Sequence, residues 1–117
     1  MKKLDVLIYP DERLKLPSAH VVDFGIETYN FVQDLIYTMK SQPSCVGIAA
    51  PQVNVHRRII VVDTSHSKHK ENMSTHGLMV LINPSIVQAD GEIIVREGCL
   101  SIPDYTGNVK RHYWIRV

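Results

Sequence analysis

The most informative stretch of this sequence is Glu97-Gly98-Cys99-Leu100-Ser101-Ile102-Pro103. Cys99 follows a glycine, so its thiol sits on an adaptable backbone. A thiolate is both a good metal ligand and a good nucleophile. The simpler alternative is a buried structural cysteine, which is the commoner fate of a lone cysteine. By itself, the stretch therefore only suggests a site.

A second informative stretch lies upstream and reads Gly47-Ile48-Ala49-Ala50-Pro51-Gln52. Its small residues would let a substrate backbone approach closely. Gln52, just beyond them, carries an amide N–H that can donate to an oxygen. Taken alone, this stretch is more simply explained as a buried strand of small residues followed by a surface glutamine.

Together the two stretches are much more specific than either one. The pattern G-Φ-A-A-P-Q, where Φ is an apolar residue, is followed about fifty residues later by E-G-C-L-S-[IV]-P, and the pair resembles the peptide deformylase family. The run P-D-E-R-L from Pro10 to Leu14 resembles the start of that family too. The resemblance covers essentially the whole chain, and E-G-C-L-S is its most diagnostic part.

The resemblance implies a metal-dependent hydrolase of nascent proteins. Peptide deformylases remove the N-formyl group from the initiator methionine, using iron(II), zinc or nickel held by one cysteine and two histidines of an H-E-x-x-H helix, whose glutamate is the general base. By resemblance, Cys99 would be the thiolate ligand of the metal. The side-chain amide of Gln52 and the backbone N–H of Leu100 would donate to the developing oxyanion.

The resemblance also assigns a substrate groove. The residues that would line it around the methionine and the following backbone are Val46, Gly47, Glu97 and Gly98. Arg111 matches an arginine that would brace the acidic residue at position 97. The implied partner is an N-formylmethionyl peptide, with the ribosome as a further partner of the full-length protein.

Two departures from the family pattern stand out. Cys45 stands where the family usually has the first glycine of Gly-Φ-Gly, so a side chain would crowd the groove there. No H-E-x-x-H occurs in the chain, whose histidines are His20, His56, His66, His69, His76 and His112. His66 and His69 lie in a polar stretch that is better explained as a solvated loop than as a metal site.

One cysteine does not make a catalytic metal site, which needs about three protein ligands and a water. We therefore expect that this chain alone does not retain the metal and is inactive. Two alternatives stay open at this point. One is a catalytically dead relative that binds N-terminal peptides by strand addition. The other is a hydrolase that uses Cys99 as nucleophile with His112 as its base.

The local pattern predicts an α+β fold with one N-terminal helix on mostly antiparallel strands. Apolar residues at helical spacing predict a helix over about 25–41, capped by Asp23. Apolar runs predict strands at 58–63 and 78–82, after an extended segment at 45–52. Asp90-Gly91 predicts a hairpin between 85–89 and 92–96. The residues 97–103 are expected to leave the sheet.

The last strand is predicted over 111–117, and the sequence ends inside it. A terminal strand needs neighbours to cover its two faces. We therefore expect a single domain over residues 1–117 that is incomplete at its C-terminus and lacks the catalytic helix of the family. An exposed edge on that strand would favour self-association.

Composition excludes several classes of protein. Apolar residues make up 44% and charged residues 21% of the chain, and the formal net charge of +1 comes with no basic stripe. A nucleic-acid footprint is therefore not expected. No apolar run approaches the about 20 residues that cross a bilayer, and the N-terminus has no apolar signal segment. Cytoplasmic location with two free thiols, Cys45 and Cys99, is the expectation.

Overall fold

The computed structural model describes residues 1–65 and 75–117 of the chain. Its architecture is α+β, as predicted, with one α-helix and antiparallel strands. The elements are the helix α1 (Ile26–Lys40) and the strands β1 (Gly47–Ala49), β2 (Ile59–Asp63), β3 (Leu78–Ile82), β4 (Gln88–Asp90), β5 (Ile93–Cys99), β6 (Ile102–Arg111) and β7 (Trp114–Arg116). Two 3₁₀ turns, Glu12–Lys15 and Ala50–Val53, complete the set.

Helix α1 occupies the predicted segment and buries one stripe. Val32, Leu35 and Met39 recur at helical spacing, and all three are buried. The predicted cap is wrong, because the residue at the N-cap position is Gly25 and no side chain caps the helix. Asp23 instead forms a tight turn one step earlier, where its carboxylate accepts the Gly25 N–H at 2.8 Å. This turn directs the chain into α1. It does not provide a side-chain acceptor for the first N–H groups of the helix.

The first sheet has the order β1-β2-β3, and both pairings are antiparallel. Alternate residues of β2 face α1, so Ile59 and Val61 are buried while Ile60 and Val62 are not. The core between helix and sheet consists of Val21, Val32, Leu35, Met39, Ile48, Ala50, Ile59 and Val61. This layer holds β1 in place, and β1 leads directly into the first motif.

The second motif lies at the tip of a long hairpin. Strands β5 and β6 pair antiparallel from Ile93 opposite Arg111 to Cys99 opposite Ile102. The expectation that residues 97–103 leave the sheet is therefore wrong. Only the two residues between β5 and β6 are in the turn. A sequence without Asn-Gly or Gly-Gly carries no recognisable signal for such a tight turn.

The predicted hairpin at Asp90-Gly91 is also wrong in its pairing. Strand β4 pairs with β7 and not with β5. The local turn chemistry is present, since Gly91 has φ of +72° and its N–H bonds the Asp90 carboxylate at 2.7 Å. A Cβ on Gly91 would meet the Cβ of Tyr113 at 2.7 Å, so the glycine lets the segment before β7 pack against the turn.

Strand β7 covers only Trp114–Arg116 of the predicted 111–117 and is paired along one edge with β4. Self-association through an exposed edge of this strand stays a prediction, since the described residues pair β7 along one edge only. In the part of the chain that the structure describes, no helix is long and apolar enough to cross a membrane. The histidines His66 and His69 of the predicted polar loop fall outside the described residues.

Candidate functional site

The first motif turns sharply after β1, and this turn positions Gln52. Ala50 is fully buried and Pro51 stands in the first turn of the 3₁₀ segment Ala50–Val53, where its fixed φ suits a helical start. The Gln52 side chain folds back so that its Oε1 accepts the N–H of Ala49 at 3.0 Å. The side chain is therefore held by the backbone of its own motif.

That bond decides the orientation of the Gln52 amide. Because a backbone N–H donates to Oε1, the Nε2 donor must face the opposite way. Nε2 lies 3.2 Å from the Oγ of Ser101 and 3.6 Å from the Sγ of Cys99. The two sequence motifs, distant along the chain, thus meet through this one amide.

Ser101 is a site residue that the sequence analysis missed. It is only 4% exposed, which is unusual for a serine, and its hydroxyl accepts from Gln52. Ser101 was inside the second motif, but a serine there carries no signal beyond the motif itself. A buried hydroxyl needs a partner, and only the fold reveals that Gln52 is one.

Cys99 ends β5 at an irregularity of the hairpin. Gly98 pairs with Thr106, but Cys99 pairs with Ile102, so Pro103–Tyr105 bulge out of β6 between the two pairs. Asp104 in this bulge has φ of +70°, a conformation that aspartate tolerates better than most residues. Cys99 itself is exposed. The bulge thus leaves an accessible thiol at the end of a strand.

Leu100 follows Cys99 in the turn between β5 and β6. Its side chain is partly buried and packs against the core. This packing fixes the turn and with it the backbone N–H that the sequence analysis assigned to the oxyanion.

An N-terminal segment ties the two motifs together from outside. The N–H of Leu7 donates to the carbonyl of Gln52 at 2.7 Å, and the N–H of Tyr9 donates to the carbonyl of Ser101 at 2.7 Å. We call residues 7–9 the strap. Each such bond contributes about 1 kcal/mol. The strap holds the carbonyls of the two motif residues at a fixed spacing, which in turn supports the Gln52–Ser101 contact.

A groove of about 750 Å³ runs between the two motifs. Its volume falls within the range of small-molecule and peptide sites. The four residues predicted to bind substrate all line it: Val46, Gly47, Glu97 and Gly98. Cys99 and Leu100 line it as well. Gln52 does not line the groove itself and reaches it through its contact with Cys99.

Two edge strands form opposite walls of this groove. In the described chain, β1 pairs only with β2, and β5 pairs only with β6. The carbonyl of Val46 accepts from the N–H of Asp63 at 2.8 Å, so Val46 faces β2. Because backbone groups alternate in direction along an antiparallel strand, those of Gly47 point away from β2, toward the free edge. A strand edge of this kind can accept an extended peptide.

Glu97 is held in its charged form on the groove wall. Arg111 donates to both of its carboxylate oxygens, at 2.9 and 2.7 Å. These hydrogen bonds lower the pKa of Glu97 and raise the pKa of Arg111. The contact predicted between these residues is present, in the two-pronged geometry that favours arginine over lysine.

Cys45 lies on the same groove, half-buried beside Val46. Its Sγ is 3.3 Å from the carbonyl oxygen of Gly47. Burial raises the pKa of the Cys45 thiol, so the group stays protonated and donates to that carbonyl. The side chain predicted to crowd the groove is thus present on its wall.

The alternative with Cys99 as nucleophile and His112 as base is wrong. His112 follows the end of β6, at the opposite end of the hairpin, where Arg111 pairs with Ile93. Ile93 and Cys99 are the two ends of β5, six residue steps apart, which is about 20 Å of strand. A general base must lie within about 3 Å of the proton it takes, or one water away.

The described residues do not complete a metal centre. Among them, no group of three or more His, Cys, Asp or Glu side chains could hold a metal ion. Cys99 provides one thiolate, whereas a catalytic zinc-type site takes about three protein ligands. A metal centre here would require donors beyond these residues.

Comparison with known proteins shows which protein family this chain resembles. The model of the polypeptide deformylase family matches residues 3–117. The chain is 38% identical over 117 residues to the peptide deformylase of Tolumonas auensis, covering all of this chain and 65% of that protein. It is 41% identical over 111 residues to the one from Thermodesulfovibrio yellowstonii, covering 95% and 64%.

A solved structure agrees with these relatives. The crystal structure of a peptide deformylase from Acinetobacter baumannii, bound to Met-Ala-Ser, superposes with a TM-score of 0.88 at 30% identity. The match covers 97% of this chain and 73% of that one. The chain thus spans a little under two thirds of the length of the two sequence relatives above.

Proposed function

This chain belongs to the polypeptide deformylase family, and we propose that it forms the substrate groove and the oxyanion side of a peptide deformylase site. The observation that carries the proposal is the Gln52 amide, whose donor points at Cys99 and Ser101. A family match alone would not assign roles to residues. The fixed orientation of the Gln52 amide supports a role for that residue as a hydrogen-bond donor.

The proposed reaction is hydrolysis of an N-formylmethionyl peptide. Water adds to the formyl carbon and the carbonyl oxygen becomes an oxyanion. The C–N bond then breaks, and the protons of that water end on the leaving nitrogen, which gives formate and a free amino terminus. Gln52 Nε2–H is proposed as one donor to that oxyanion and the Leu100 N–H as the second. Removing one preorganised donor of this type costs about 3–4 kcal/mol of transition-state stabilisation.

Substrate is proposed to bind as an extended strand in the groove. Val46 and Gly47 belong to one wall and Glu97 and Gly98 to the other. A Cβ on Gly98 would meet Thr106 Cγ2 at 3.5 Å, an ordinary contact, so none of the described residues requires a glycine there. Space for a substrate explains it better. The Met-Ala-Ser bound to the Acinetobacter baumannii enzyme supports an N-terminal methionyl peptide as the occupant.

The family is metal-dependent, and we propose Cys99 as a thiolate ligand of one divalent metal, iron(II), zinc or nickel. The described residues do not provide enough ligands for a complete metal centre. We expect that the 117-residue chain by itself does not retain it and does not turn over substrate.

The remaining proposals concern the setting of the reaction. Nascent chains carry the formyl group in the cytoplasm, so a cytoplasmic location and the ribosome as the source of substrate accompany the proposed activity. Self-association through β7 stays a prediction, now limited to the edge of β7 that β4 does not cover.

Binding and turnover separate the parts of this proposal. The purified chain is titrated with fluorescently labelled formyl-Met-Ala-Ser, and formate release is followed with and without added iron(II) or zinc. Expected are saturable binding and no formate. The Gly98→Val variant, which fills the groove, should bind about tenfold more weakly, whereas Val22→Ala, at an exposed position outside the groove lining, should bind as wild type does. Equal binding by the Gly98→Val variant would remove the groove from the proposal.

A further inference from the structure

We infer that Cys45 determines peptide selectivity in the groove. Its thiol hydrogen-bonds the Gly47 carbonyl, which β1 would otherwise offer to the backbone of a bound peptide. The inference rests on the proposed function, since it concerns how a peptide docks in that groove. It gives a role to the side chain at the position where the family's usual Gly-Φ-Gly pattern has its first glycine.

The direction of the Gly47 carbonyl is the first step. Strand β1 pairs Ile48 with Val61, and the carbonyl of Val46 bonds Asp63. Alternation then turns the polar groups of Gly47 and Ala49 toward the free edge. Ala49 uses its N–H there to hold Gln52. The Gly47 carbonyl is therefore an acceptor that this edge turns toward an added strand.

The second step is that this acceptor already has a partner within the chain. The Cys45 Sγ lies 3.3 Å from the Gly47 oxygen, and Cys45, Val46 and Gly47 all line the groove. Ser44, immediately before, has φ of +65°, a left-handed conformation that turns the chain just ahead of the cysteine. The S–H donor thus stands where a peptide N–H would bond.

The third step is what a peptide must do to bind. Its N–H has to displace the thiol from the Gly47 carbonyl, and an S–H···O bond is weak enough to be displaced. The thiol therefore weakens the binding of every peptide that offers an N–H to the Gly47 carbonyl. A peptide with proline or an N-methylated residue there has no N–H to lose and is not weakened. Cys45 therefore reduces the difference in affinity between peptides that have an N–H at this position and peptides that have a tertiary amide there.

The experiment combines protein variants with backbone-modified peptides. Wild type, Cys45→Ala and Cys45→Ser are titrated with formyl-Met-Ala-Ser and with two analogues that carry a single N-methyl group, at residue 2 or at residue 3. Cys45→Ala should bind the parent peptide about two- to fivefold more tightly than wild type. One of the two N-methyl peptides should show none of this gain. Cys45→Ser, which keeps a donor of similar size, should not bind more tightly than wild type.

The outcomes distinguish this inference from the proposed function. If the parent peptide binds wild type but Cys45→Ala gives no gain, or if the gain persists in both N-methyl peptides, the thiol does not compete for the carbonyl and the inference fails alone. If formyl-Met-Ala-Ser binds none of the three folded proteins, the proposed function fails and the inference with it. Thermal melts establish that each variant is folded.

Discussion

The Oγ of Ser101 lies 3.2 Å from the Nε2 of Gln52, and this contact joins the two motifs inside the protein rather than at its surface. Ser101 is 4% exposed, so its hydroxyl has little access to water. The Gln52 amide is held at both ends, by Ala49 on Oε1 and by Ser101 on Nε2. A donor fixed in this way does not need to reorganise when charge develops.

Replacing Ser101 with alanine should lower the free energy of unfolding by about 1 kcal/mol, because the Gln52 donor then loses its oxygen partner in a buried place. Urea denaturation at neutral pH measures the change. Ser101→Thr keeps a hydroxyl and is the matched variant. A loss no larger for Ser101→Ala than for Ser101→Thr would show that the hydrogen bond contributes nothing to stability.

Gln52→Ala should reduce selectivity for the formyl group rather than peptide binding as a whole. If the amide donates to the formyl oxygen, wild type should prefer formyl-Met-Ala-Ser over Met-Ala-Ser, and the variant should lose about two- to tenfold of that preference. Two titrations per protein give the ratio. Gln88→Ala, at an exposed position of β4 outside the groove lining, is the control. An unchanged ratio in Gln52→Ala would contradict the assigned donor.

Arg111→Gln should change how stability depends on pH. The two hydrogen bonds from Arg111 hold the pKa of Glu97 below its ordinary value of 4.5. The stabilisation from the charged pair is therefore complete above pH 4.5 and is lost as the pH falls through the lower folded-state pKa. The pair is partly exposed, so its effect stays below about 1 kcal/mol.

The measurement for this pair is the urea midpoint at pH 7 and at pH 3. Wild type should lose more stability between the two than Arg111→Gln does. Lys110→Gln breaks the longer contact with Glu92, at 3.5 Å, and serves as the control. A pH response of Arg111→Gln equal to that of wild type would mean that the ion pair is not formed in solution.

The strap should be visible in amide hydrogen exchange. The N–H groups of Leu7 and Tyr9 have carbonyl partners at 2.7 Å, so both should exchange slowly in the native chain. Leu7→Pro removes the donor to Gln52 and should speed exchange at Tyr9 as well, because the two bonds hold one segment. Rapid exchange at Leu7 and Tyr9 in wild type would show that the strap is open in solution.

Truncating the core should cost far more than any of these polar changes. Leu35 is completely buried between α1 and the first sheet, so Leu35→Ala should destabilise the chain by about 2–5 kcal/mol. Tyr37→Ala, on the exposed face of the same helix, should cost much less. Similar losses for the two variants would place the core elsewhere.

The sequence predicted the parts of this fold that depend on neighbours along the chain. The stripe of Val32, Leu35 and Met39 located α1 within about one residue at each end. The β-branched run at Ile59–Asp63 and the apolar run at Leu78–Ile82 located β2 and β3. Periodicity reports which side of an element is buried, and that information is local.

Partners across the chain were not predictable in the same way. Asp90-Gly91 has the composition of a hairpin turn, but β4 takes β7 as its partner, and Tyr113, just before β7, lies against Gly91. Ser101 offered no pattern that points to Gln52. In the site, Cys99 and Gln52 came from motifs, whereas the geometry that joins them came only from packing.

The strap gives the site an unusual dependence on the order of folding. Tyr9 is made early and Ser101 late, so the bond between them closes a loop that spans most of the chain, and such closure is slow and carries an entropic cost. During synthesis, Tyr9 can find its acceptor only after the turn that contains Ser101 has been made. The strap therefore closes only when both motifs are made and have come together, so a partly folded molecule presents no finished groove to a peptide.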